Sequence, residues 1–254
     1  MSIRPTTPEG GTSLISAQLD RARVVIERLA LIDPKYRDFS VTTKDAERWF
    51  GFSFADLETL RAFGLRSSGD HPVRTYDWGE LVTLASHLRM RSGHRAAMRY
   101  WLRTLEGLSK SRVKYRIEVE AVVEDPDLTP LQVLGSDGRY TTVLTQSGRV
   151  SRQSWVSLEL CTKAVTPMIA ALLEEYSDID HYFLPRALSN DATIYLKHRI
   201  ADCRSFAYFL SSAARREGIP CRESWGLIVS YPYSTPHAWV EFLIDGTWVA
   251  IDVF

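Results

Sequence analysis

The C-terminal part of the chain carries cysteine, histidine and aspartate at spacings that thiol chemistry could use. Cys203 follows Asp202 and opens the run Arg204-Ser205-Phe206-Ala207-Tyr208-Phe209-Leu210, which continues to Arg215-Arg216-Glu217-Gly218. Asp202 can cap a helix, Gly218 can end one, and Ile219-Pro220 cannot continue it, so the pattern predicts a helix with Cys203 in its first turn. There the helix dipole and unpaired N–H groups stabilise a thiolate, and the same groups can hold an oxyanion on a substrate. Cys203 also shares a helical face with Phe206, Ala207 and Leu210. A buried core cysteine is therefore the competing reading.

Two alternating apolar runs follow, His237 to Ile244 and Thr247 to Asp252, separated by Asp245-Gly246. A two-residue turn of that composition predicts a hairpin and fixes its register: Ile244 opposite Thr247, Phe242 opposite Val249, Trp239 opposite Asp252. Side chains alternate faces, so His237, Trp239 and Asp252 point the same way, and His237 and Asp252 become diagonal neighbours about 5–8 Å apart at their β-carbons. A nucleophile, a solvent-facing base and an acid that orients the base are the three parts of thiol acyl transfer. Cys203, His237 and Asp252 are the expected catalytic residues.

Four ordered blocks carry a resemblance: Asp202-Cys203-Arg204-Ser205-Phe206-Ala207, Arg215 to Arg222, His237-Ala238-Trp239-Val240-Glu241 and Trp248 to Asp252. Together, over about residues 160–254, they resemble the transglutaminase-like superfamily. The resemblance implies Cys203 as nucleophile, His237 as base and Asp252 as orienting acid, acting through an acyl-enzyme on a peptide, amide or acyl thioester, with no cofactor. Water or an amine could accept the acyl group, and the sequence leaves that choice open. One departure is visible: Asp202 follows Ala201 where the family often has a glycine before the cysteine. Tyr231 and Tyr233, in the rigid loop Ser230 to Pro236, and Trp239 are the expected substrate-binding residues.

The elements that must position these residues come from the whole chain of 254 residues, with 45% apolar and 24% charged residues, the balance of a globular protein. No run of about 18 apolar residues is present, so no membrane span is expected. The start lacks an apolar signal segment. Three cysteines (Cys161, Cys203, Cys221) at wide spacing argue against a disulfide framework and for a reducing, cytoplasmic setting. His71, His181 and His198 have no partners at metal-ligand spacing, so no metal is expected. The net charge is zero, yet nine basic residues against Glu106 alone fall between Arg89 and Arg116. Arg89, Arg91, Arg95, Arg99 and Arg103 head that run. They are expected to dock an anionic partner, such as an acidic carrier protein, if the segment is more than a solvated helix face.

Periodicity predicts a helix over 13–31, then two short helices, Thr43 to Gly51 and Phe54 to Leu65 after Ser53, and a third opening at Asp77. With Arg74-Thr75-Tyr76 closing a wing, this order over about residues 40–104 resembles the MerR-like winged helix-turn-helix family, whose members bind DNA. That resemblance supports the alternative function, a DNA-binding regulator with a sensing thiol core. Asp56 and Glu58 fall on the helix that would enter the groove and are expected to repel phosphates, so nucleic acid is the less favoured partner. Strands are expected at 115–122, 132–134 and 140–144, with an Asp137-Gly138 hairpin turn, and a helix from Thr166 to Tyr176. The expected fold is α+β. It comprises a flexible stretch 1–12, a helical winged helix-turn-helix-like module 13–108, a small β region 109–150, and a transglutaminase-like core 151–254 with its Cys-bearing helix on an antiparallel sheet.

Overall fold

The computed structural model describes residues 14–108, 113–122, 131–134, 140–143, 149–158, 164–228, 230 and 234–252, those from 108 to 158 by backbone alone. The chain divides into two compact units: Met1–Trp101 with Lys163–Phe254, and Leu102–Thr162.

The first helix, α1 (Ser16–Leu29), turns Ala22, Val25, Ile26 and Leu29 inward. After a 3₁₀ turn capped by Asp33, β1 (Val41–Thr42) leads into α2 (Thr43–Phe50). The cap of α2 is Thr42; its side chain accepts from the Asp45 N–H. Gly51 ends the helix at φ 78°, a conformation that costs glycine little. The next helix, α3 (Phe54–Ala62), starts with Ser53 and Asp56 capping each other's backbone. β2 (Thr75–Tyr76) returns antiparallel to β1, and Asp77 caps α4 (Trp78–His87). Beyond it lies α5 (Gly93–Leu108).

The buried face of these helices holds a charge cluster. The Arg37 side chain is fully covered; it lies 3.0 Å from Glu80 and 3.8 Å from Asp77, and donates to the Leu29 carbonyl at 2.7 Å. Burial pushes the Glu80 carboxyl up to about 7, although Arg37 pulls it down.

In the second unit, β3 (Val113–Val122), β4 (Leu131–Leu134), β5 (Tyr140–Val143) and β6 (Arg149–Leu158) form two antiparallel pairs, β3 with β6 and β4 with β5. The boundary expected at residue 150 falls inside β6, because that strand is paired along its length with β3. Asp137 and Gly138 lie outside the described residues.

The chain then forms α6 (Pro167–Glu175), capped by Thr166, and β7 (Asp180–His181). A π turn over Thr193–Lys197 precedes β8 (Ile200–Ala201), which pairs parallel with β7, His181 opposite Ala201. Two residues later α7 (Cys203–Arg216) begins. The strands β9 (Cys221–Ile228), β10 (Thr235–Ile244) and β11 (Thr247–Ile251) make an antiparallel sheet in the order β11-β10-β9. The hairpin register is the expected one, with Ile244 opposite Thr247 and Phe242 opposite Val249. Its turn residues Asp245 and Gly246 both have positive φ, 49° and 73°, as a tight hairpin turn requires.

Two cores result. Phe206, Ala207, Leu210, Ala213 and Ala214 of α7 pack with Val240, Phe242, Ile244 and Val249 of the sheet. The other core joins the N-terminal helices, through Leu29, Leu57, Leu60, Leu81 and Leu84, to Tyr182, Leu184, Leu188, Ile194 and Ile200. The helices therefore share a core with the segment leading to Cys203, instead of forming a module of their own.

Candidate active site

The helix α7 is fixed at its start by Asp202, whose Oδ1 accepts from the Ser205 N–H at 2.9 Å and the Ser205 hydroxyl at 3.1 Å. Its other oxygen binds the Arg204 guanidinium, which also donates to the Leu184 carbonyl at 2.8 Å. Asp202 is only 3% exposed, so this cap is held rigidly from the far side by Arg204. The N–H groups of Cys203 and Arg204 precede that of Phe206, the first to donate to a helical carbonyl, Asp202 O at 2.9 Å, and first-turn N–H groups of this kind can receive an anion. The Cys203 side chain is half-buried and reduced. A wholly buried core cysteine, the competing expectation, is not what is found.

His237 Nε2 lies 2.7 Å from Asp252 Oδ2. The Cys203 side chain is near enough to the ring to help hold its proton, and with Nε2 facing the acid, Nδ1 is the nitrogen left for sulfur. The structure thus brings Cys203, His237 and Asp252 together. Its correction concerns exposure: the His237 side chain is 12% exposed, not solvent-facing, while Asp252 is 34% exposed. Burial opposes a charge on the His237 ring, but the hydrogen bond to Asp252 and the nearby Cys203 outweigh it and raise the pKa to about 9.

Trp239 is half-buried and backs the histidine, its ring 6.3 Å from that of His237 at an interplanar angle of 20°. It lies close to Gly226, where a β-carbon would come to 3.0 Å from the indole. Its Nε1 donates to Glu241 Oε1 at 3.2 Å, Glu241 pairs with Arg222, and Arg222 stacks over Trp248 at 4.5 Å. Tyr231 and Tyr233 lie outside the described residues, as does Cys161.

His181, weighed in the sequence only as a metal ligand, also lies in this neighbourhood. From β7 it sits where Asp202 and His237 both act on its charge; burial drives its pKa down to about 4, Asp202 opposes that, and His94, His87 and His237 add to it. Phe183, beside it at 4.9 Å, also meets His94 at 5.1 Å and Trp78 at 5.5 Å. Residues of α4 and α5 therefore reach the neighbourhood of the triad. The signal was absent from local spacing, because a parallel pair between β7 and β8 creates the neighbourhood. Among the described residues no group of three or more His, Cys, Asp or Glu is arranged to hold a metal.

The acids expected to oppose phosphate do not present free charge. Asp56 is 2% exposed and spends its carboxylate on Ser53 and on the Leu14 N–H. Glu58 is paired with Arg61 at 2.9 Å and Arg74 at 2.5 Å. Arg89, Arg91, Arg99 and Arg103 are exposed and Arg95 half-buried. Arg95 donates to the Arg89 carbonyl, and its pKa falls through burial and the nearby charges of Arg99 and Arg89. No ion pair of these five with an acid is present among the described residues. Lys110 and Arg112, and the side chains of Lys114 and Arg116, lie outside them.

Residues 168–253 match the family model of the transglutaminase-like superfamily, a segment that contains Cys203, His237 and Asp252. No curated protein and no solved structure matches the chain. No helix among the described residues is long and apolar enough to cross a membrane.

Proposed function

We propose, on the premise of the transglutaminase-like domain at residues 168–253, that the protein is a cysteine acyltransferase or amidase working through a Cys203 acyl-enzyme. The observation that carries this reading is the histidine held at 2.7 Å by Asp252, with the Cys203 side chain near enough to raise its pKa. In the first half-reaction the Cys203 thiolate attacks an amide or thioester carbonyl, and the first-turn N–H groups of α7 hold the oxyanion. His237, protonated below about pH 9, gives its proton to the departing amine or thiol as the C–N or C–S bond breaks. A thioester on Cys203 remains. Water or an amine, deprotonated by His237, then attacks the thioester and releases the product with the thiolate restored. Asp252 keeps the ring oriented throughout.

The test is intact-mass spectrometry after exposure to small activated acyl esters. A mass increase of one acyl group, absent in Cys203→Ala, is expected. Labelling by iodoacetamide should be fastest at Cys203 among the three thiols, and equal slow labelling of all three would overturn the proposal.

A second reading concerns the arginines. Exposed guanidinium groups at Arg89, Arg91 and Arg99, together with the internal pairing of Asp56 and Glu58, support docking of an anionic partner by the N-terminal helices. An acidic carrier protein delivering the acyl group predicts that Arg95→Glu with Arg99→Glu slows turnover of a carrier-bound substrate more than of a free one. DNA instead predicts retention that falls steeply with salt and prefers one duplex over random sequence.

A further inference from the structure

The strand β9 is an edge of its sheet among the described residues, and it runs past the reactive centre. Two anchors set its alignment with α7. The Ser211 hydroxyl donates to Glu223 Oε1 at 2.7 Å, and Gly226 stands opposite His237, the residue whose proton the nearby Cys203 side chain helps to hold. Going from Ser211 back to Cys203 therefore moves along β9 from Glu223 to the Gly226 rung. Trp225 and Leu227 flank that rung. By the two-residue alternation of a strand they share the face of Glu223, the face that α7 covers. Although α7 lies on that face, Trp225 is 70% exposed and Leu227 54% exposed at the edge.

Natural sheets protect such edges with charges, prolines or bulges. Here the charged residues of β9 are already engaged, Arg222 with Glu241 and Glu223 with Arg215. An apolar edge with its own charges neutralised fits an uncharged extended chain, not an acidic surface.

We propose that β9 takes up the substrate as an added strand, an extended peptide whose apolar side chains, two residues apart, lie against Trp225 and Leu227. This rests on the thiol reading and sharpens it: the substrate is a peptide in strand conformation, and its backbone supplies the binding hydrogen bonds. Strands lie about 4.8 Å apart, so a reacting carbonyl one or two residues past the paired segment crosses β9 to reach Cys203.

The probe is acetyl-Leu-Ser-Val-Ser-Gly-Gly chloromethyl ketone, from which the Cys203 sulfur displaces chloride to form a thioether, with chloroacetamide as the small comparison. The peptide reagent is expected to alkylate Cys203 at least about tenfold faster. Two N-methylated versions, each blocking one alternate set of amides, separate the cases, because only one set faces the edge: one version keeps the advantage and the other loses it. In Trp225→Ser with Leu227→Ser the ratio of the two rates falls toward one. Should that variant not fold, the N-methylated pair on the unaltered chain still decides. A peptide advantage untouched by either methylation or by the double variant overturns the proposal. So does a dimer in sedimentation that the double variant dissolves, since a second copy would then cover the edge. Failure of chloroacetamide itself to label Cys203 would instead overturn the thiol reading.

Discussion

Two clusters of ionisable side chains differ in what surrounds them. Arg37, Asp77 and Glu80 are sealed under the N-terminal helices, with side-chain exposures of 0, 8 and 3%. Cys203, His237 and Asp252 stand at the end of a helix and the rim of a sheet, with Asp252 one-third exposed. In the first cluster desolvation outweighs attraction, and Glu80 rises to about 7 beside a guanidinium. In the second, desolvation of His237 is overcome by Asp252 and the nearby Cys203, and its proton is held to about 9. Burial without enough donors makes a charge a structural burden. Partial burial with two partners makes a proton usable.

The comparison breaks most directly at the base. His237→Ala should cut acyl transfer by about 10³-fold or more while leaving the circular-dichroism spectrum intact; an undiminished rate would mean the ring takes no part. Arg37→Met should act the opposite way, destabilising the chain by about 3–5 kcal/mol in urea unfolding, because it leaves two carboxylates buried without their cation. Its effect on Cys203 labelling in chain that remains folded should be slight. Asp252→Asn comes next, with a smaller loss of rate than His237→Ala, since the amide holds the ring with the wrong donor pattern.

The pH profiles sharpen the contrast further. Turnover of an amide, which needs the His237 proton, should decline about tenfold per unit above pH 9, whereas alkylation of Cys203 should not decline. The smallest effect concerns His181, whose pKa falls from 6.5 unfolded to about 4 folded. The unfolded chain then binds more protons between those values, so stability is full above about 6.5 and is lost as pH falls toward 4. His181→Phe should remove about 1–2 kcal/mol of that acid sensitivity, measured as the difference in urea midpoint between pH 7 and pH 5.

Local chemistry was readable wherever it determined structure alone. Asp202, Ser53, Asp77 and Thr166 announced the starts of four helices, and Asp245-Gly246 fixed the register that aligns His237 with Asp252. Asp56 shows where that reading was incomplete. The spacing Ser53-Phe54-Ala55-Asp56 is a capping-box pattern, yet the aspartate was assigned by helical face to a groove, and its bond to the Leu14 N–H, 42 residues away, could not be seen. The place of His181 was invisible for the same reason. Its neighbours Asp202, His237 and His94 arrive through a two-residue parallel pair and a shared core, neither of which leaves a periodic trace. The exposure of His237 was misjudged because strand alternation gives the face of a residue and not what covers it.

The order of the residues along the chain bears on how the thiol comes to life during synthesis. The N-terminal helices leave the ribosome first, so the surface that receives Tyr182, Leu184, Leu188, Ile194 and Ile200 exists before those residues emerge. Cys203 follows, then His237, and only then Asp252. A nascent chain stopped short of residue 252 carries a cysteine and an imidazole but no acid to orient them. On the proposed mechanism, orientation of the imidazole thus waits on the far end of the β10–β11 hairpin.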